Sequence, residues 1–268
     1  MKFIAQFFFK GLYYLLTDKS FRKFVVIASI YGIKKRIPTN KISVNNFKIN
    51  ILHNKSFVWQ YYEIYFKKYY NFLTSNKYPI IIDCGANLGL SILNFKEQYP
   101  NSKIYAFEAD KEVFKVLSDN INSNLIEGIT LINKAVWHKN EIISFLPDGV
   151  DGGKVEQHST NNSMQIDAID FKEFLDQFDK IDFLKIDIEG AETDVIPHIE
   201  SCFDRVDKVF VEFHSFKNSQ QKIENVISVL SKHYRLYIDN PSFRNEPFFP
   251  SKKDNLMDLQ LNIFAYKD

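Results

Sequence analysis

The sequence predicts an α/β fold: a mostly parallel, seven-stranded sheet with helices on both faces, preceded by a helical extension. Three observations carry that expectation. From Tyr78 onward, short β-rich runs alternate with helical segments and turn signals, the rhythm of successive strand–helix units. The stretch IIDCGANLGL, Ile81 to Leu90, reads as a strand, a tight glycine turn and the start of a helix. With 268 residues and 45% hydrophobic content, the chain can bury a full core under such a sheet.

The elements follow in order. Residues 1–77 form the extension and 78–268 the main domain. Within the extension, residues 1–36 hold Lys2, Lys10, Lys19, Arg22, Lys23, Lys34, Lys35 and Arg36 against one acid, Asp18, interleaved with aromatics. Two readings suit that pattern: a helical cap packing its aromatics on the core, or an interfacial helix pair on an anionic membrane. A second aromatic run, Phe57 to Phe72, reads as helix and as a substrate cap. Strands are expected at Ile80 to Asp83, Lys103 to Glu108, Ile129 to Asn133, Phe183 to Asp187, Lys208 to Phe213, Tyr234 to Ile238 and Leu261 to Tyr266. Helices fill 88–99, 111–122, 171–177, 190–200 and 219–232. The polar, Gly-rich tract from Asp148 to Asn162 reads as a mobile loop or hairpin beside the site. Ligands of such sheets bind at the carboxyl ends of the strands.

Composition narrows the class. A net charge of +1 supplies no global basic field, so nucleic acid is not an expected partner. The only cysteines, Cys84 and Cys202, have neither metal-type spacing nor a disulfide framework, and a reducing cytoplasm is the expected setting. Lys10 breaks the opening apolar run and no small-residue cleavage site follows, so secretion is not expected. No stretch reaches the roughly 18 to 20 continuous apolar residues of a spanning helix.

The loop at Gly85 discriminates between ligands. A dinucleotide fingerprint needs G-x-G-x-x-G, but Asn87 stands where the second glycine belongs. A phosphate-binding Walker loop is excluded because no Lys and Ser/Thr follow Gly89. A nucleoside-type cofactor without a pyrophosphate survives. Asp83, at the strand tip, would take an ammonium group, and Glu108, ending the second strand, would accept both ribose hydroxyls. S-adenosylmethionine offers both.

The strings FLKIDIEGAE (Phe183 to Glu192), IIDCGANLGLS and YAFEAD, with NKAVW and FVEFH between and after them, resemble the FkbM family of S-adenosylmethionine-dependent methyltransferases. The likeness spans about residues 78 to 268 and implies a Rossmann-like class I methyltransferase fold. It also implies O-methylation of hydroxyls, often on saccharides or glycolipids. By resemblance, Asp83, Gly85, Ala86, Asn87, Gly89, Glu108, Ala109 and Asp187 contact the cofactor, while Ala135 and Val136 line its adenine. Lys134 stands near where many class I enzymes place an acid for the adenine amino group, which leaves that recognition to backbone groups. An NAD-dependent sugar oxidoreductase and a cofactor-binding partner without turnover are the competing readings.

The chemistry can be derived without the family. A sulfonium methyl is already electrophilic, so catalysis is chiefly the in-line positioning of an acceptor oxygen, with a base to take its proton. Alternation puts Lys185 and Asp187 on one face of the fourth strand and Leu184 and Ile186 on the other. Glu189 follows in the turn, and Glu212 and His214 share a face of the fifth strand. Lys185, Asp187, Glu189, Glu212 and His214 are therefore the candidate catalytic residues. Plainer roles compete. Lys185 and Asp187 suit a salt bridge fixing the strand tip, and Glu189 and Glu192 suit the dipole of the following helix. Asp187, Glu189, Glu212 and His214 could also gather a divalent metal, although no metal ligand is assigned. Cys84 reads as a small buried filler.

Overall fold

The computed structural model describes residues 2–32, 41–147, 153–156, 164–217, 219–241, 248 and 257–267. The chain divides into two compact units, Met1–Asn71 and Phe72–Asp268.

The first unit opens with α1 (Lys2–Thr17) and α2 (Lys19–Tyr31). Asp18 separates them and caps α2, its carboxylate accepting from the amides of Ser20 and Phe21, which satisfies two otherwise orphaned N–H groups. A short hairpin of β1 (Ile42–Val44) and β2 (Phe47–Ile49) follows. The aromatic run then forms α3 (Asn54–Tyr61) and a π-helical turn over Tyr62–Phe66. Here Phe66 receives Tyr14, Phe21 and Phe24, with ring centroids 5.4, 4.8 and 6.3 Å away.

The second unit runs from β3 (Ile80–Cys84), α4 (Leu90–Gln98), β4 (Lys103–Phe107), α5 (Lys111–Ser123) and β5 (Ile129–Ile132) into β6 (Ala135–Trp137), β7 (Glu141–Pro147), β8 (Gly153–Glu156) and β9 (Met164–Asp170). It continues through α6 (Phe171–Leu175), β10 (Phe183–Ile186), α7 (Glu192–His198), a 3₁₀ turn over Glu200–Arg205, β11 (Lys208–Phe216), α8 (Ile223–His233), β12 (Arg235–Asp239) and β13 (Met257–Tyr266). Seven of these strands form one sheet in the order β12-β13-β11-β10-β3-β4-β5. All seven expected strands are its members. The pairs among β11, β10, β3, β4 and β5 are parallel, whereas β13 pairs antiparallel with both β11 and β12.

The central strands are apolar because both of their faces are covered. Leu184, Ile186, Val211 and Phe213 join Ile196, Phe203 and Leu230 in one core, while Phe183 on the opposite face stacks at 4.7 Å on Phe72 and 5.4 Å from Phe95.

A second sheet, in the order β6-β9-β7-β8, was not expected from the sequence. It alternates in the manner of a half-buried strand: Ile166 and Ala168 of β9 are buried, while Gln165 and Asp167 are exposed. Within the Asp148–Asn162 tract, Gly153–Glu156 pairs antiparallel with β7 as one arm of a hairpin, and the rest of the predicted loop lies outside the described residues. The helix expected over 190–200 is shorter. It contains Pro197 and gives way to the 3₁₀ turn, since proline removes a helical donor.

Asp182 anchors the start of this sheet. It is buried, and its carboxylate accepts from Thr74 Oγ1 (2.8 Å), Asn76 Nδ2 (3.0 Å) and the Ile80 amide (2.9 Å). Asp182→Ala strands three donors, so we expect it to lower stability by about 2–4 kcal/mol. Urea unfolding checks this; an unchanged midpoint would refute it.

Candidate active site

The site is built where β3, β4, β10 and β11 end side by side. Parallel pairing aligns Lys185 with Asp83 and Ile186 with Cys84, so the loops after β3 and β10 meet. The Asp187 amide donates to the Cys84 carbonyl (3.1 Å), and the amides of Gly85 and Ala86 both donate to the Phe107 carbonyl (3.0 and 2.8 Å). Gly85 has φ +82°, and a Cβ there would lie 2.0 Å from the Asp187 carbonyl oxygen. Gly89, at φ +92°, would place a Cβ 2.9 Å from Leu117 Cδ1. The glycines were expected to admit a ligand; what demands them is the close approach of the neighbouring loop and of α5. Asn87 is also left-handed, at φ 49°, a conformation Asn tolerates.

Glu108 fastens this loop from β4. One carboxylate oxygen accepts from the Asn87 amide and the other from the Asp110 amide, each at 2.9 Å. Burial pushes its pKa up to about 7, against the pull of those two N–H groups. Ala109 is half-buried and packs with buried Ala135, while Val136 belongs to the main core with Phe107 and Phe171.

Lys185 is the buried tie between the two loops. Its ammonium donates to the Gly85 carbonyl (2.8 Å), lies 3.1 Å from Asp187 Oδ2 and 3.4 Å from Asp83 Oδ1. Burial works to lower its pKa, but Asp187, Asp83 and Glu212 outweigh it and hold the charge. Asp83, fully buried, also accepts from the Ser91 hydroxyl. The Cys84 thiol is pushed well up by burial and by Asp83, which suits inert packing and not nucleophilic chemistry.

His214 gathers the remaining acids. Its Nδ1 lies 3.3 Å from Glu192 Oε1, and its Nε2 lies 3.4 Å from Glu212 Oε1 and 4.0 Å from Glu189 Oε2. Burial disfavours the imidazolium, but Glu189, Glu192 and Glu212 outweigh it and raise the pKa well above the ordinary value. Glu189, at φ 55° and partly exposed, has its carboxyl pushed up to about 8 by burial, against His214. Burial likewise raises Asp187. Burial would also raise Glu212, but His214 and Lys185 carry it below the ordinary value, and Gln260 Nε2 donates to it. All five predicted catalytic residues thus converge.

Glu192, whose place in the sequence suits the helix dipole, also belongs to this cluster. It is fully buried, and its two oxygens accept from the amides of Ile188 (3.1 Å) and Gly190 (2.9 Å) while Oε1 faces His214. Only the approach of β11 to α7 reveals the pairing.

Beside His214 and Glu189 opens a cleft of about 930 Å³, walled by Trp137, His138 and Gln165 of the second sheet region and by Thr193, Ser215 and Phe216. Among the described residues, His138 Nδ1 and Ser215 Oγ, both buried, have no hydrogen-bond partner.

Two cationic groups could suit this site. Donor atoms of Asp187, Glu212 and His214 lie within 4.8 Å of one another, near enough to share a metal ion, but the Lys185 ammonium already stands 3.1 Å from Asp187. A sulfonium suits this surrounding, since among the described residues Asp83 and Asp187 lie against Lys185 while Glu189, Glu192 and Glu212 lie against His214.

Comparison with known proteins agrees. The family profile described as Methyltransferase FkbM domain matches residues 83–244. Methyltransferase 1 of Beauveria bassiana (strain ARSEF 2860) is 23% identical over 206 residues, covering 68% of this chain and 82% of that protein. Hexuronic acid methyltransferase AglP of Haloferax volcanii is 25% identical over 139 residues, covering 51% and 56%. The solved structure of the SAM-dependent methyltransferase from Agrobacterium tumefaciens aligns with a TM-score of 0.51 at 9% identity, covering 88% of this chain and 72% of that one, a likeness of fold.

Proposed function

Because the chain belongs to the FkbM family of S-adenosylmethionine-dependent methyltransferases, we propose that its acceptor is a hydroxyl of a saccharide or glycolipid held in the cleft beside His214. The family displaces the dinucleotide oxidoreductase reading. The observation that carries the acceptor class is the cleft itself, walled by Trp137 and by the polar side chains of Glu141, Gln165, Thr193 and Asp194. Polar side chains in a cleft hydrogen-bond hydroxyl-rich ligands, and aromatic faces pack the apolar faces of sugar rings. The hexuronic acid methyltransferase among the relatives supports a sugar.

When bound, S-adenosylmethionine supplies an electrophilic methyl group. Gly85, Ala86, Asn87 and Gly89 would hold it from the β3 loop, Glu108 and Ala109 from the end of β4, and Ala135 with Val136 from β6. Asp83 is engaged by Lys185 and Ser91, so we read it as sustaining the loop and the local negative charge. Lys185, kept charged, ties the β3 and β10 loops together and does not act as a base. Asp187 is tied to Lys185 and lies near Glu212 and His214. His214 Nε2 takes the hydroxyl proton as the oxygen advances, while Glu192 holds Nδ1–H and fixes the ring. Glu212 and Glu189 set the charge of that imidazole.

Calorimetric titration with S-adenosylhomocysteine tests the cofactor half. We expect heat with this thioether, none with NAD, and binding weakened about tenfold or more by Glu108→Ala, the loss of roughly one charge-assisted hydrogen-bond pair. Transfer of labelled methyl to a panel of saccharides tests the acceptor. Transfer only to non-sugar acceptors would overturn that half and leave the cofactor half standing.

A further inference from the structure

The first unit carries none of the residues assigned above to methyl transfer, but it has a surface of its own. In α2, thirteen residues with the sequence KSFRKFVVIASIY, no side chain is fully buried. Leu12, Tyr13, Leu15 and Leu16 of α1 and Val26 and Ile30 of α2 are all exposed, Leu16 to 72% and Val26 to 57%. The helical repeat explains which way they face. Tyr14, Phe21 and Phe24 pack on Phe66; at 100° per residue, Leu12 and Leu16 lie opposite Tyr14, while Val26 and Ile30 lie opposite Phe21 and Phe24. Lys19 and Lys23 precede Val26 and Ile30 on the same stripe, and the Arg22 guanidinium donates to the Leu15 and Leu16 carbonyls (both 3.1 Å).

Charge is segregated to match. Residues 1–36 contain eight Lys and Arg and one Asp, a net of +7, so the remaining residues carry −6 of the chain's +1. An exposed apolar stripe bordered by lysine and arginine suits an anionic bilayer, where the apolar side chains enter the headgroup boundary and the cations meet lipid phosphates. Among the described residues no helix is long and apolar enough to cross a membrane, so the helices would lie in the interface plane. We propose that α1 and α2 form a docking surface for anionic lipid bilayers.

The test uses the full chain and sedimentation with sucrose-loaded vesicles of phosphatidylcholine, with or without about 30 mol% phosphatidylglycerol, a surface charge of the kind that attracts polybasic segments. We expect pelleting with the anionic vesicles, little with the neutral ones, and release by added salt. Leu16→Glu with Val26→Glu, and separately Lys10→Glu with Lys19→Glu, should each cut the partition coefficient about tenfold or more. S-adenosylhomocysteine binding by the variants shows that they are folded; if the thioether binds none of them, circular dichroism serves instead and the membrane result still stands. Three results would overturn the proposal: no pelleting of the folded intact chain, equal pelleting with neutral vesicles, or a dimer by light scattering that Leu16→Glu with Val26→Glu dissociates without any lipid binding. The last would assign the stripe to a second copy of the chain.

Discussion

Replacing Gly85 with alanine should abolish S-adenosylhomocysteine binding and lower the melting temperature, whereas the same change at Gly89 should be far milder. Both residues have positive φ, which costs an alanine of order 1 kcal/mol. The difference lies in what each new methyl meets. At Gly85 it would stand 2.0 Å from the Asp187 carbonyl oxygen, a backbone atom that the Asp187 amide fixes by its bond to Cys84. Neither loop can yield without breaking the contact by which Lys185 spans Gly85 and Asp187. At Gly89 the obstacle is Leu117 Cδ1 at 2.9 Å, the end of a side chain that can rotate. We therefore expect a loss of about 3 kcal/mol or more for Gly85→Ala and about 1–2 kcal/mol for Gly89→Ala. Calorimetric melting and thioether titration of both variants decide it. Equal losses would show that the loop–loop approach is not what Gly85 serves.

That contrast also shows what the sequence could and could not convey. The strand–turn–helix at Ile81 to Leu90 was legible because the turn residues and the apolar run are local signals, and so were all seven strands of the main sheet. Which atom the glycine must avoid is not local, since Asp187 lies about a hundred positions away. The second sheet was missed for a different reason. β9 carries a visible alternation, Ile166 and Ala168 in, Gln165 and Asp167 out, but the polar, Gly-rich tract before it reads most simply as a loop. The candidate acids were found because alternation places Lys185 with Asp187 and Glu212 with His214. Which partner each side chain takes was not legible, because that depends on the fold: Lys185 is held by Asp83 on a neighbouring strand, and Glu192 meets His214 only when β11 runs beside α7.

His214→Gln should leave thioether binding intact and reduce kcat by about 10²–10⁴-fold, the range of a lost general base. A neutral glutamine fills similar space and keeps an amide donor near Glu192, so the fold survives while proton transfer does not. The pH profile tests the assignment with a sign. Burial alone would lower the His214 pKa, but Glu189, Glu192 and Glu212 raise it well above the usual value. The base form is the neutral imidazole, so kcat/KM should climb with pH on the alkaline side of neutrality. Glu189 raises that imidazole's pKa where it is ionised, above about pH 8, so Glu189→Gln should move the rising limb to lower pH in that range and leave activity at pH 7 little changed. Glu192→Gln should shift the limb in the same direction but also lower kcat more than it alters KM, because Glu192 positions the ring through Nδ1. A profile that Glu189→Gln leaves unmoved, or full activity in His214→Gln, would remove His214 from the proton path; the second result would instead suit an acceptor that needs no base, such as a carboxylate already ionised when it attacks.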